Sequence, residues 1–114
     1  MFVAAIAALV MLAGCSSSSE NLTPSNDEID VVIDVRTVAE FTESHVEGSL
    51  NLDVESGTFE ASLESLDKDA TYLVYCRSGR RSAIAADLMR SKGFEVLDAG
   101  SLENMVNLGW PIGQ

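Results

Sequence analysis

The chain has 114 residues, 46% of them hydrophobic, which is enough for one folded domain with a core and too short for two domains of ordinary size. Eighteen acidic residues face seven basic ones, and the formal net charge at pH 7 is −11. Such a charge repels phosphate backbones and argues against a nucleic-acid partner.

The N-terminus is an uncharged apolar run, MFVAAIAALVMLAG, that ends at Cys15. A membrane span needs about 20 apolar residues, so the run is more typical of a secretory signal. The stretch LAGC resembles the lipobox of bacterial lipoproteins, in which the cysteine is lipidated. We therefore expect a signal peptide over 1–14, a lipidated cysteine with a Ser-rich tether over 15–27, and a folded domain over 28–114. The alternative is a buried N-terminal helix that ends in Gly-Cys.

A lipid on Cys15 would anchor the chain on the periplasmic side of a bacterial membrane. The outer membrane is favoured in a Gram-negative organism, because Ser16 rather than aspartate follows the cysteine. Cys76 would then be a single thiol in an oxidising compartment, and a disulfide between Cys15 and Cys76 is the alternative. With one histidine and one remaining cysteine we expect no metal site, and no other cofactor is indicated.

After the tether, the first predicted elements are a strand, a helix and a second strand. The apolar, β-branched run over 30–35 predicts a buried parallel strand. Thr37 and Glu40 form a capping-box pattern, which indicates the start of a helix. The alternating stretch SLNLDV then predicts a short second strand.

A second helix is predicted over TFEASLESL, with Thr58 as its N-cap and three apolar residues on one face. These apolar residues are Phe59, Leu63 and Leu66. The run TYLVYC, over 71–76, predicts a third buried strand.

The C-terminal part continues the alternation of helices and strands. RSAIAADLMRSKG predicts a helix with Ile84, Ala85 and Leu88 on its apolar face and Gly93 at its end. FEVLDAG predicts a fourth strand, and LENMVNLG a last helix that ends at Gly109. This order predicts an α/β fold whose mainly parallel central sheet has four to five strands flanked by helices.

The stretch YCRSGRRSA places Cys76 between a buried strand and a helix, beside three of the seven basic residues. Parallel α/β sheets bind ligands at this carboxyl edge. The loop over 77–81 would turn its backbone N–H groups inward, beside the free amides of the helix N-terminus, and hold an anion. Gly79 would allow the tight curl. The cradle and the arginines would favour a thiolate at Cys76, which attacks without a separate base.

His45 is the only histidine of the chain. It could pair with Cys76 as a base, but its place just before the second predicted strand favours a structural role.

Two blocks of the chain resemble the rhodanese family. The first runs from DVR (34–36) through Glu40-Phe41 to HVEGSLNL, and the second is YCRSGRRSAIAADLMRSKGFEVLDAG. The ending LGWPI is also similar. The resemblance implies a rhodanese-like fold and a sulfurtransferase that takes a sulfane sulfur from thiosulfate or a related donor. The sulfur would be held as a cysteine persulfide and passed to a thiophilic acceptor.

The same resemblance implies roles for individual residues and partners. Cys76 would be the nucleophile and persulfide carrier, and Asp34, Arg36 and Ser82 would give structural support. The substrate-binding residues would be Arg77, Ser78, Gly79, Arg80 and Arg81. The implied partners are a small anionic sulfur donor and an acceptor that is a thiol, cyanide or a redox protein. We expect a monomer that meets the membrane only through the lipid on Cys15.

Two other functions compete with sulfur transfer. One is a non-catalytic rhodanese-like lipoprotein module that binds an anion or a partner. The other is a cysteine-based phosphatase or arsenate reductase, whose loops hold five residues between cysteine and arginine. Four residues separate Cys76 from Arg81, and the shorter ring suits a single sulfur atom better than a tetrahedral oxyanion.

Overall fold

The computed structural model describes residues 26–114 of the chain. The predicted signal peptide, the lipidation site at Cys15 and all but the end of the predicted tether lie outside the described residues. No helix within the described range has the length and apolar character needed to cross a membrane.

Residues 26–114 form six strands and four α-helices. The strands are β1 (Val31–Asp34), β2 (His45–Val46), β3 (Leu50–Asn51), β4 (Thr71–Cys76), β5 (Glu95–Ser101) and β6 (Ile112–Gly113). The helices are α1 (Val38–Glu43), α2 (Phe59–Leu63), α3 (Arg80–Ser91) and α4 (Leu102–Asn107), and a 3-10 turn (Asn26–Glu28) precedes β1. The central sheet is parallel throughout, in the order β3-β1-β4-β5. The predicted α/β fold with a parallel sheet of four strands is confirmed.

The central sheet is covered on both faces, which explains why β4 reads as an unbroken apolar run. Because side chains alternate across a strand, Leu73 and Tyr75 lie on one face while Tyr72, Val74 and Cys76 lie on the other. The face that carries Cys76 packs against α2 and α3. The opposite face packs against α4 and the β2 strand. The cysteine is therefore on the same side of the sheet as the helix that follows it.

The predicted apolar face of helix α3 is confirmed in part. Ala85 is buried and Leu88 packs against the core, but Ile84 is 44% exposed. The remaining buried positions are Ser82, Ala86 and Met89. The buried face is thus centred on small residues and Met89, and the small side chains let the helix lie close to the sheet.

The predictions for the two helix caps differ in outcome. Thr37 accepts a hydrogen bond from the Glu40 amide, and the Glu40 side chain reaches back to the Thr37 amide, so the capping box is confirmed. Thr58 precedes α2 but makes no capping bond with its side chain. Its ψ of 5° lies far from the extended conformation that lets a cap oxygen face the first amides. Helix α2 also ends at Leu63, before Leu66, although Leu66 still packs against the core.

The pairing of β2 with β6 was not predicted. The two strands are antiparallel, with His45 opposite Gly113 and Val46 opposite Ile112. Strands of two residues have no readable periodicity, so only the closed fold brings these segments together.

The end of β1 is held by a buried network around Asp34. Its Oδ1 accepts hydrogen bonds from the Arg36 amide and Nε, both at 2.9 Å, and its Oδ2 accepts from Arg36 Nη2 at 2.7 Å. The Tyr75 hydroxyl donates to Asp34 Oδ2 at 2.7 Å and accepts from the Val46 amide at 3.0 Å. Burial and the Asp34 carboxylate raise the pKa of Tyr75 to about 12, so this hydroxyl keeps its proton. One phenol thus links β1, β2 and β4.

Replacing Tyr75 with phenylalanine should lower the free energy of unfolding by about 1–3 kcal/mol, because the buried Val46 amide loses its partner. Urea unfolding at neutral pH measures the change. The control is Tyr72→Phe, which removes only a partly buried bond to the Asp67 carbonyl and should cost about 1 kcal/mol or less. Equal losses in the two variants would contradict the special role of the Tyr75 hydroxyl.

Candidate active site

Cys76 is the last residue of β4, a central strand flanked by β1 and β5. Its side chain is fully buried at the carboxyl edge of the sheet. Only three residues separate Cys76 from Arg80, where α3 begins, so the chain reverses direction over a short loop. The structure places Cys76 where the sequence predicts it.

Gly79 gives the loop its curl. Its φ of 110° and ψ of −15° lie in the left-handed region, which costs other residues about 1–2 kcal/mol. In this conformation the Gly79 amide donates a hydrogen bond of 2.9 Å to the Cys76 sulfur. A residue with a side chain would strain the turn that delivers this bond.

The sulfur of Cys76 is surrounded by uncharged donors. Burial by itself would raise the pKa of this thiol. The Ser82 hydroxyl and the amides of Ser82, Gly79 and Ser78 outweigh burial and lower the pKa of Cys76 below its ordinary value. The inward-facing amides of the loop and the helix N-terminus therefore stabilise the thiolate, as an anion cradle does.

Ser82 connects the loop to the neighbouring strand. It is fully buried, and its hydroxyl lies 3.2 Å from the Gly79 carbonyl and 3.3 Å from the Gly100 carbonyl. Both distances are long for a hydroxyl donor, and the same hydroxyl is one of the groups that lower the pKa of Cys76. Ser82 therefore supports the loop and also contributes to the charge state of Cys76.

The three arginines of the loop have three different surroundings. Arg81 donates two hydrogen bonds to the Glu40 carboxylate, at 2.8 and 3.0 Å. Arg80 pairs with Glu55 at 3.1 Å, and both side chains are more than half exposed. Arg77 is exposed and forms no ion pair within the part of the chain that the structure describes. The sequence suggested three cations around the sulfur, but two of them are matched by carboxylates.

Asp34 and Arg36, expected as structural support, pair with each other beneath the site. The Arg36 side chain is almost fully buried and also donates to the Ser44 carbonyl at 2.6 Å. Asn51 donates hydrogen bonds of 3.0 Å to the carbonyls of Asp34 and Arg36. The segment that follows β1 is therefore fixed by the Asn51 side chain and by the Ser44 carbonyl. Only the Asp34 and Arg36 part of this arrangement is visible in the sequence.

His45 is held by its own part of the chain. Its Nδ1 lies 2.7 Å from the Phe41 carbonyl, and its ring stacks on the Phe41 ring with centroids 3.7 Å apart. These contacts fit the structural role favoured by the sequence. No cluster of three potential metal-ligating side chains occurs within residues 26–114.

A cavity of about 290 Å³ lies between the first turn of α1 and the segment that joins β3 to α2. Its lining consists of Val38, Asn51, Leu52, Asp53, Ser56, Thr58, Phe59 and Ser62. The lining holds one carboxylate and no basic side chain, so the cavity does not suit an anion. Sequence reasoning missed it, because its walls come from separate segments without a motif.

Fold and site together define an α/β protein with a buried cysteine in an amide-lined loop at the carboxyl edge of a parallel sheet. The model of the rhodanese-like domain family matches residues 18–107. The chain therefore belongs to the rhodanese-like family.

Several known proteins are similar in sequence. A putative mitochondrial thiosulfate sulfurtransferase of Schizosaccharomyces pombe is 36% identical over 85 residues, which cover 63% of this chain and 58% of that protein. The thiosulfate sulfurtransferase PspE of Escherichia coli is 31% identical over 74 residues, covering 64% and 71%. For the thiosulfate sulfurtransferase GlpE of Pseudomonas fluorescens the identity is 41% over 64 residues, covering 56% and 57%. The matched segment therefore covers 58%, 71% and 57% of the length of these three relatives.

Solved structures show the same fold. A rhodanese from Escherichia coli, described with bound anions, has a TM-score of 0.63 and 28% identity, covering 74% of this chain and 96% of that one. A rhodanese-like domain from Anabaena has a TM-score of 0.64 and 27% identity, covering 74% and 98%. Nearly the whole of each of these two domains therefore has a counterpart here.

Replacing Glu40 with glutamine should reveal a pH-dependent part of the stability. The Arg81 hydrogen bonds, opposed by burial and aided by Thr37, lower the pKa of Glu40 from 4.5 to about 2. A lowered carboxyl pKa stabilises the fold above the unfolded value and loses this effect as the pH falls through the folded value. We expect Glu40→Gln to be less stable by about 1–2 kcal/mol at neutral pH. Urea unfolding should show the difference in stability between parent and variant disappearing as the pH falls from 4.5 to about 2. A difference that stays constant down to the lower pH would refute the role given to the Glu40 carboxylate.

Replacing Ser82 with alanine should raise the pKa of Cys76, because a hydroxyl that favours the thiolate is lost. Ultraviolet absorbance of the thiolate across a pH series measures the change. Ser78→Ala is the matched control, since Ser78 acts through its backbone amide, which alanine keeps. An equal shift in both variants would show that loop disturbance, and not the Ser82 hydroxyl, is responsible.

Proposed function

We propose that the chain is a sulfurtransferase that takes a sulfane sulfur from thiosulfate or a related anionic donor. Cys76 carries the sulfur as a persulfide and passes it to cyanide or a thiol. The observation that carries the proposal is the buried Cys76 sulfur that faces the loop amides, with its pKa lowered by uncharged donors. Membership of the rhodanese-like family and relatives named thiosulfate sulfurtransferases support it.

In the first step, the Cys76 thiolate attacks the outer sulfur of thiosulfate. A bond forms between the two sulfurs, the bond between outer and central sulfur breaks, and sulfite leaves with that electron pair. The terminal sulfur of the new persulfide carries a negative charge. The loop amides that stabilise the thiolate are suited to hold this charge as well, since nothing else in the cradle must ionise.

In the second step, the acceptor attacks the terminal sulfur. With cyanide, a carbon–sulfur bond forms, the persulfide bond breaks and thiocyanate leaves, which returns Cys76 as a thiolate. With a thiolate acceptor the product is the acceptor's persulfide. No proton transfer by a side chain is needed in either step. This is consistent with a sulfur whose pKa is lowered by backbone amides and the Ser82 hydroxyl and not by an acid or base.

In this proposal the loop residues have different roles in donor binding. The amides of Ser78 and Gly79 face the reacting sulfur, while Arg77, Arg80 and Arg81 attract the donor's sulfonate. Arg77 is exposed beside the cysteine and is the best placed of the three to take up a new anion. Since the chain is strongly acidic elsewhere, the positive charge at this loop distinguishes it from the rest of the surface.

The test is the intact mass of the purified protein before and after incubation with thiosulfate. We expect a gain of one sulfur atom that is lost on adding cyanide and absent from Cys76→Ser. Cys15→Ser, which removes the other cysteine of the chain, is the matched control and should keep the gain.

Two other results would point to the competing functions. Hydrolysis of an aryl phosphate without any sulfur gain would indicate a cysteine-based phosphatase. Neither sulfur gain nor hydrolysis, with thiosulfate or polysulfide as donor, would indicate a module that binds without reacting.

A further inference from the structure

Glu40 follows β1, and its carboxylate is hydrogen-bonded to Arg81 at the edge of the cysteine loop. Its Oε1 accepts hydrogen bonds from the Thr37 amide at 3.1 Å, the Thr37 hydroxyl at 3.0 Å and Arg81 Nη1 at 2.8 Å. Its Oε2 accepts from Arg81 Nη2 at 3.0 Å. The exposed fractions of the two side chains are 13% for Arg81 and 23% for Glu40. A fork of this kind, shielded from water, is stronger and more directional than a surface ion pair.

The capping box holds the Glu40 carboxylate in the position where it accepts the hydrogen bonds from Arg81. Thr37 fixes Glu40 on the first turn of α1, and α1 follows β1 after a short, buried connection. Arg81 lies on the first turn of α3, directly after the loop. The charged groups that act on Arg81 are Glu40, Cys76 and Glu55, the last on the segment between β3 and α2. Arg81 is thus paired with Glu40 at the start of the helix that directly follows the cysteine loop.

We propose that Glu40 is a positioning residue that fixes Arg81 beside the Cys76 loop and balances its charge, so that the pair tunes the reactivity of the thiolate. A consequence is that the pair also limits how strongly an anionic donor is attracted. The effect on the donor rests on the proposed function, whereas the effect on the thiolate does not.

Charge balance at this position has a chemical reason. A free guanidinium beside the sulfur would stabilise the thiolate further, but the nucleophilicity of a thiolate falls as its pKa falls. A free carboxylate would have the opposite effect and would also repel an anionic donor. With Arg81 paired, the uncharged donors around Cys76 decide how much thiolate is present.

The two halves of the pair should therefore act in opposite directions on the thiol. The measurement is the rate at which iodoacetamide, an uncharged reagent, alkylates the full chain in mildly acidic buffer, with Cys15→Ser as the background. Glu40→Gln leaves Arg81 unbalanced and should speed alkylation of Cys76 about twofold. Arg81→Ala leaves Glu40 unbalanced and should slow it about twofold. The double variant should return close to the parent rate.

Two controls separate this role from a purely structural one. Glutamine is accepted at the third position of a capping box, so Glu40→Gln keeps the cap and removes the charge. Thr37→Ala does the reverse, because it weakens the cap and keeps the charge, and it should change the alkylation rate much less than Glu40→Gln does. Glu55→Gln disrupts the exposed pair with Arg80 and should have a much smaller effect than Glu40→Gln.

Opposite shifts for Glu40→Gln and Arg81→Ala would support the proposal. Shifts in the same direction, no shifts, or a Thr37→Ala effect equal to that of Glu40→Gln would overturn it and leave Glu40 as a helix cap only. If Glu40→Gln fails to fold, Arg81→Ala decides alone, since slower alkylation supports the proposal and an unchanged or faster rate overturns it.

The effect of the pair on donor binding is measured in a separate experiment. In steady-state transfer from thiosulfate to cyanide, Glu40→Gln should lower KM about twofold without raising kcat, and Arg81→Ala should raise KM. A parent protein that never gains sulfur would overturn the proposed function, yet the alkylation rates would still decide the role of Glu40.

Discussion

The buried carboxylate of Asp34 holds together the sheet edge on which the site is built. A charge removed from water is tolerated only when it is paired and hydrogen-bonded, and Asp34 meets this condition through Arg36 and the Tyr75 hydroxyl. The same phenol accepts the Val46 amide, and Arg36 reaches the Ser44 carbonyl. No buried side-chain polar atom within the described residues is left without a partner. The strand end that carries Cys76 is therefore fixed without any contribution from the sulfur itself.

On this support, the loop holds its sulfur mainly with neutral groups. The amides of Ser78, Gly79 and Ser82 and the Ser82 hydroxyl favour the thiolate, while two nearby arginines are paired with carboxylates. Neutral donors act at short range and are little affected by salt, in contrast to exposed charges. In a chain with net charge −11, the charged form of Cys76 is thereby favoured without a large excess of nearby cations.

Where sequence reasoning was wrong, a tertiary contact overrode a local pattern. The predicted apolar face of α3 included Ile84, yet Ile84 is exposed and the helix buries Ala86 and Met89 beside the predicted Ala85, because close packing on the sheet favours small side chains. Thr58 has the right residue type for a cap, but the preceding turn gives it a backbone conformation unsuited to capping. In both cases residue type was read correctly, and neighbouring segments decided how the residue is used.

Features that depend on local preference could be predicted from the amino-acid sequence alone. These are the apolar runs of β1 and β4, the capping box at Thr37, and the place of Cys76 between a buried strand and a helix. The pairing of Glu40 with Arg81 and of β2 with β6 became visible only in the folded chain. Glu40 and Arg81 are 41 positions apart, and no local pattern reports a contact between segments so distant in the chain. The physical reason is that periodicity and capping express short-range backbone and solvation energies, whereas such pairs form only after parallel strands bring distant segments to one edge of the sheet.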